Sequence, residues 1–338
     1  MPSAACGVRA SRATHDVSPA PDAQAWPDSF VPHDVAGLHV TIRTLVIVNP
    51  AARRGTEALD TIPVALAARD MHPVIEPMGD PRTLVARVRA HAPDVERIVV
   101  AGGDGTISGA AAAVLAAARP VGILPFGTAN NLARTLGIPF ELEAACDVIA
   151  AGCTHRIDVG EVNGHPFLTT ASLGLSVAIT ESLTPEAKKR LGPLAYVTTA
   201  ARTVMAARRF AAEITWPGGS HLSRSVQVVV GNGRFYGSAM QVSDATRIDD
   251  HLLDLYTVEV RHWWRLLALG PAIRRGRHGD KETVQTFRAA SFTVRTARPM
   301  TVNADGELVT ETPATFRVRP AALELFAPPA SEAPGLGE

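Results

Sequence analysis

The amino-acid sequence predicts an α/β fold in two domains, a doubly wound α/β unit followed by an antiparallel β-sandwich. Three observations carry that expectation. From residue 44 to about residue 150, short apolar runs alternate with amphipathic or alanine-rich segments, the pattern of buried parallel strands separated by helices. Two of those runs end in turns that open helices, Gly102-Gly103-Asp104-Gly105-Thr106 and Phe126-Gly127-Thr128-Ala129-Asn130-Asn131. Beyond about residue 155 the runs become closely spaced with few helices between them, the sign of an antiparallel sandwich.

The bulk properties agree. A chain of 338 residues exceeds one average domain, and 46% hydrophobic with 20% charged residues supplies ample core. Lys plus Arg equals Asp plus Glu at 33 each, and aromatics are 5%, which together argue against nucleic acid as a partner. No apolar run approaches the roughly 20 residues needed to span a bilayer. Cys6, Cys146 and Cys153 show neither metal-type spacing nor a disulfide framework, which fits a reducing, cytoplasmic setting.

Taken in order, residues 1–40 are rich in Ala, Pro, Ser and Asp, lack the basic start and apolar core of a secretory signal, and read as a disordered extension. The first strand is expected at 44–48, closed by Asn49-Pro50. A loop with Arg53 and Arg54 follows, whose guanidinium forks suit phosphate oxygens but equally suit solvent. A helix is expected over 56–69, a strand at 73–78, and a helix over 81–91 with Leu84, Val85 and Val88 on one face. Ile98-Val99-Val100-Ala101 reads as a strand buried on both faces, and 107–118 as an alanine-dominated helix. The turn between them suits an anion, because glycine lets backbone N–H groups and a helix N-terminus approach it closely. Asp104 is the odd member there. A carboxylate beside an anion site is repelled unless a cation lies between, so it points to Mg²⁺. The alternative is a tight turn in which the aspartate caps a helix. The strand at 121–125 repeats the plan, ending in a glycine, a hydroxyl and two carboxamides.

In the second half, 156–167 alternates and turns at Asn163-Gly164, a hairpin signal. Residues 185–209 read helical, with Lys188, Lys189, Arg190, Arg202, Arg208 and Arg209 along them. Strands are expected at 212–216, 225–231, 252–260, 290–296, 300–304 and 315–319, and a last one at 322–326 returns to the first domain. The resulting division is 41–157 with about 320–328 for the α/β domain, 158–319 for the β-rich domain, and 329–338 for a flexible tail. Trp263, Trp264, Leu266, Leu267 and Leu269, followed by Arg274, Arg275, Arg277 and Lys281, suit either a membrane-surface patch or a packed helix with a basic face.

Asn49-Pro50 with its loop, Gly102 to Thr106, and Phe126-Gly127-Thr128-Ala129-Asn130-Asn131-Leu132-Ala133-Arg134 together resemble the diacylglycerol-kinase catalytic domain, most closely as seen in bacterial soluble lipid kinases. Asp249-Asp250-His251-Leu252-Leu253-Asp254 and Asn303-Ala304-Asp305-Gly306-Glu307 extend the resemblance to the second half. It implies a nucleotide-binding α/β domain, a lipid-substrate domain, and ATP-dependent phosphorylation of diacylglycerol or a related lipid alcohol at a membrane surface. A homodimer is left open. By position, Gly103, Asp104, Gly105, Thr106, Ile107, Ser108 and Gly109 would form the nucleotide loop, with Asn49, Arg53, Gly102, Thr128, Asn130 and Asn131 as further contacts. Asp305 or Glu307 would accept the hydroxyl proton, and spacing alone does not choose between them. Asp158 would join Asp104 and Asp305 in a magnesium and water network. A structural Mg²⁺ would fall on the Asp250 side chain and the carbonyls of Arg247 and Leu252. Asn131 stands where relatives often carry aspartate, and His251 where they carry glycine. The Gly-Gly-Asp-Gly-Thr turn also occurs in NAD kinases, so a kinase of a soluble substrate is the alternative, as is a non-catalytic nucleotide- or lipid-binding protein.

Overall fold

The structure, a computed structural model, describes residues 42–50, 55–182, 202–232, 235–236, 240–241, 247–260 and 283–336. The first half alternates: β1 (Ile42–Val48), α1 (Gly55–Ala67), β2 (Met71–Pro77), α2 (Pro81–His91), β3 (Arg97–Gly102), α3 (Asp104–Ala117), β4 (Val121–Pro125), α4 (Asn131–Thr135) and α5 (Leu142–Ala151). The strands pair in parallel in the order β2-β1-β3-β4, with Val46 opposite both Ile75 and Val99, and Val99 opposite Gly122. Leu45 to Val48 and Ile98 to Val100 are buried on both faces, as continuous apolar runs in a parallel sheet require.

The second half supplies β5 (Thr154–Val162), β6 (His165–Phe167), β7 (Thr170–Gly174), α6 (Leu175–Ser182), β8 (Phe210–Trp216), β9 (Gly219–Ser225), β10 (Gln227–Gly231), β11 (Phe235–Tyr236), β12 (Met240–Gln241), β13 (Leu253–Val258), β14 (Val284–Ala289), β15 (Ser291–Thr296), β16 (Thr301–Ala304), β17 (Glu307–Glu311) and β18 (Ala314–Phe326). One antiparallel sheet runs β14-β13-β10-β7-β16-β17, while β18, β15, β8 and β9 continue the sheet that begins in the first half. Phe167, Phe292 and Phe316 are fully buried among aliphatic side chains in the core of this half, each stabilising the fold by about 1.5–3 kcal/mol through burial alone.

One strand joins the halves. The early part of β18 pairs with β15, and Leu325 near its end lies parallel to Val121 of β4. Along its other side it pairs with β5, with a register shift between Arg319 and Leu323. There Ala321 takes a positive φ of 46°, and its N–H donates to Asp158 Oδ1 at 2.8 Å. The Asn163-Gly164 hairpin and the returning last strand are present as expected.

Two expectations differ. The tail after residue 328 is packed rather than flexible through residue 336. Ala333 and Leu336 are only 3% and 6% exposed, the Gly335 N–H donates to the Thr135 carbonyl at 2.8 Å, and the Ile248 N–H donates to the Gly335 carbonyl at 3.0 Å. The small residues that make the tail look frayed are what allow that approach: a Cβ at Gly335 would stand 2.3 Å from Thr135 Cγ2. Among the strands the sequence leaves out, β9, β14 and β17 each close the edge of a sheet, whereas β7, Thr170-Ala171-Ser172-Leu173-Gly174, lies mid-sheet but carries a single large apolar residue. An edge strand buries little, so its sequence lacks a strong apolar alternation. The expected extension 1–40, the Arg53–Arg54 loop, the basic stretch 185–201 and the Trp263–Lys281 patch lie outside the described residues.

Candidate active site

The site begins where β3 and β4 end side by side, at the carboxyl edge of a parallel sheet, the usual place for a ligand crevice. The two glycine turns touch backbone to backbone. A Cβ at Gly103 would stand 2.8 Å from Gly127 Cα, and one at Gly127 would stand 2.4 Å from Gly103 Cα. Only glycine permits this approach. Asn130, in the left-handed region at φ 49°, fastens the second turn by accepting the Gly127 N–H at 2.9 Å and donating to the Gly127 carbonyl at 3.1 Å. Gly105, in contrast, has open space beside it, Thr128 is exposed, and Asn49 is half-buried at the end of β1.

Asp104 opens α3, yet its carboxylate serves α4. Oδ1 accepts the N–H groups of Asn131 at 2.6 Å and Leu132 at 3.4 Å, and Oδ2 accepts from Asn131 Nδ2 at 3.4 Å. This is helix capping in trans, placing a negative group at a positive helix end. Burial pushes the Asp104 carboxyl above the usual range. The Asn131 and Leu132 N–H groups pull it back, and the field of Asp305 pushes it up again. Two residues of the expected nucleotide loop pack instead: Thr106 fills the space beside Gly102, and Gly109 faces Met78, whose Cε would lie 2.0 Å from an added Cβ. Gly102 itself accepts the Phe126 N–H at 3.0 Å, tying the two turns together.

The second carboxylate comes from the β16–β17 turn. Asp305 takes a positive φ of 47°, followed by Gly306 at 102°. Its Oδ1 accepts the N–H groups of Thr169 at 3.0 Å and Thr170 at 2.9 Å and the Thr169 hydroxyl, while Oδ2 accepts the Leu168 N–H at 2.6 Å. Asp104 and Asp305 face one open cleft, walled by Ile107, Ser108 and Leu132 on one side and by Leu168 and Thr169 on the other. Glu307 is exposed and is not among the residues that line this cleft. The sequence reading missed Leu168 and Thr169; a turn recognised only through the carboxylate it surrounds leaves no local signal.

Asp158 is not brought to the cleft. It is 1% exposed, and its carboxylate accepts the His251 N–H at 2.6 Å, the Ala321 N–H at 2.8 Å, and pairs with His251 Nδ1 at 2.9 Å. That hydrogen bond and the Asp158 charge hold the His251 ring above its ordinary pKa. Asp250 is likewise occupied. Its Oδ1 accepts the Leu252 N–H at 3.0 Å, its Oδ2 receives the Arg288 guanidinium, and Arg288 Nε lies 3.6 Å from Asp254 Oδ1. Arg247 donates from its side chain to the Leu336 carbonyl at 3.2 Å. Where the resemblance implied a structural Mg²⁺ on the Asp250 side chain and the carbonyls of Arg247 and Leu252, the Arg288 guanidinium already occupies the Asp250 carboxylate, which does not fit a cation bound there. Among the described residues no three His, Cys, Asp or Glu side chains cluster as ligands. The cleft is a different case. Two carboxylates face it and none of the described residues lining it is basic, which suits a divalent cation brought in with a phosphate ligand.

Comparison with known proteins adds the following. Residues 43–162 match the diacylglycerol kinase catalytic domain, and residues 169–327 match the YegS C-terminal NAD kinase beta sandwich-like domain. A "Probable lipid kinase YegS-like" of Pseudomonas aeruginosa is 33% identical over 261 residues, covering 75% of this chain and 83% of that protein. One of the same description from Pseudomonas fluorescens is 30% identical over 261 residues, covering 77% and 85%. The chain spans about half, 54%, of an uncharacterized Synechocystis protein, sll0036, to which it is 30% identical over 240 residues. Among solved structures, a diacylglycerol kinase of Bacillus anthracis superimposes with a TM-score of 0.69 at 26% identity, covering 86% of this chain and 98% of that one.

Proposed function

The chain belongs to the YegS-like family of lipid kinases, and from that premise we propose that it transfers the γ-phosphate of ATP to a hydroxyl of diacylglycerol or a related lipid alcohol. The observation that carries this reading is the single cleft onto which Asp104 and Asp305 both open. The Gly103–Gly105 turn at the start of α3 can receive phosphate oxygens through its backbone, with free space at Gly105 for a ligand to approach, while the Thr106 and Ile107 N–H groups are already committed to the Gly103 carbonyl. Mg²⁺, when bound with the nucleotide, would offset charge on the transferring phosphoryl group, and Asp104 is the carboxylate placed to hold it.

Asp305 takes the proton. Oδ1 already accepts three donors, so it is full, whereas Oδ2 accepts only the Leu168 N–H and keeps a lone pair available. The lipid hydroxyl oxygen forms its bond to the γ-phosphorus as the bond to the bridging oxygen breaks. ADP leaves, and the hydroxyl proton passes to Asp305 Oδ2. Ile107, Leu132 and Leu168 give the cleft apolar walls beside the two carboxylates. Such an acceptor requires work at a membrane surface from the cytoplasmic side, and no described helix is long and apolar enough to cross a membrane.

The test is transfer of radiolabel from ATP to a mixed lipid extract in vesicles, with the product identified by mass. Labelled phospholipid that disappears with Asp305→Ala supports the reading. Label found only in a soluble acceptor such as NAD, without vesicles, rejects it.

A further inference from the structure

We propose that Asn232, distant in sequence from every motif above, is a positioning residue that sets the geometry of Asp305; the inference rests on the reading of Asp305 as proton acceptor. The sheet order is β10-β7-β16. Strand β7 is therefore flanked by both neighbours, with Gly231 of β10 opposite Thr170 and Ala304 of β16 opposite Ala171. The next residue on one neighbour is Asn232 and on the other is Asp305. The two stand on opposite sides of the turn that leads into β7.

They hold the turn by opposite ends of its peptide groups. Asp305 accepts the N–H groups of Leu168, Thr169 and Thr170. Asn232 takes the carbonyls: its Nδ2 donates to the Leu168 carbonyl at 3.0 Å, and its backbone N–H donates to the Thr169 carbonyl at 2.8 Å. With the carbonyls fixed on one side, the planar peptides must present their N–H groups on the other. The same Nδ2 also donates to the Asp158 carbonyl at 3.0 Å, anchoring the turn to β5.

Asn232 is 1% exposed, and its Oδ1 has no hydrogen-bond partner among the described residues. A buried acceptor left unpaired is a standing cost to stability. An amide retained there is retained for its two donations, which an apolar side chain of similar size could not make. The consequence reaches the cleft. Three donors fill Asp305 Oδ1 only while the turn keeps this shape, and that filling leaves Oδ2 as the oxygen with capacity for the hydroxyl proton.

The test is Asn232→Ala in the full chain, assayed with ATP and lipid vesicles below its melting temperature. The expected result is a fall in kcat of about 10- to 100-fold with KM for ATP changed less than about twofold. Backbone amides 168–170 should exchange hydrogen faster. Asn232→Ser, whose hydroxyl can make one of the two donations, should recover part of both, and it replaces Asn232→Ala if that variant does not fold. A lowered melting temperature with kcat and 168–170 protection unchanged overturns the proposal, since a packing role alone predicts it. Loss of protection at 168–170 with Asp305→Asn fully active would sustain the positioning of the turn and break the proposed function instead.

Discussion

The two carboxylates on the cleft are held in opposite ways. Asp104 sits at a helix end, where burial outweighs its hydrogen bonds, so its charge is disfavoured and its carboxyl rises above the usual range. Asp305 sits in a turn whose four donors to its two oxygens fix the carboxylate in place. The first side chain carries a charge that a bound cation would relieve. The second is ordered before any ligand arrives. A phosphoryl-transfer site needs both, one group to meet added positive charge and one to hold still for a proton.

Amide substitutions separate the two. Asp305→Asn should be the most damaging change: kcat falls by about 10²–10⁴-fold, as for loss of a general base. An NH₂ group is then set against the N–H groups of the 168–170 turn, and stability falls by about 1–3 kcal/mol. Steady-state kinetics and denaturant unfolding read the two effects. Asp104→Asn should also abolish most activity while moving stability the other way. A carboxyl whose folded pKa is raised favours the folded state in its protonated form, so the ionised wild type loses stability as pH climbs through and above the carboxylate range. The variant should therefore melt higher than wild type near pH 7, with the difference shrinking as pH falls and lost below the unfolded carboxylate pKa of about 4. A lower melting temperature at pH 7 would mean that the cap on α4 outweighs the cost of the buried charge.

The remaining predictions are smaller. Gly127→Ala forces apart two backbones that now touch and should lower both ATP affinity and melting temperature, by about 1–3 kcal/mol in stability. Chelation of divalent cations should leave the melting temperature within about 1 °C of its value before chelation, because the Arg288 guanidinium already occupies the Asp250 carboxylate; a larger fall would restore the structural metal. Glu307→Gln, at an exposed position, should change kcat less than about twofold and stability by less than about 0.5 kcal/mol.

The contrast between the carboxylates also explains what could be read without coordinates. The Asp104 region was legible because its parts are contiguous: an apolar strand, glycines and a helix stand in one stretch, and the cap donors follow within the next such unit. Asp305 was reachable only through resemblance, since its partners Leu168, Thr169 and Thr170 precede it by 135 to 137 residues. Nothing in the local pattern of 168–170 announces a turn that wraps a carboxylate. Asn232 was invisible for the same reason, being defined by the strand order β10-β7-β16. Asp158 was reached through the same resemblance, and its surroundings are equally non-local: the Ala321 N–H at the register shift in β18 and the left-handed His251 both bond its carboxylate.

The most direct test of the shared cleft is the lipid-phosphorylation rate of the double variant Asp104→Asn/Asp305→Asn beside both single variants, all compared as folded protein. Groups acting on one reacting centre give a double variant no slower than the worse single one. Losses that multiply, or a single variant as fast as wild type, would contradict it.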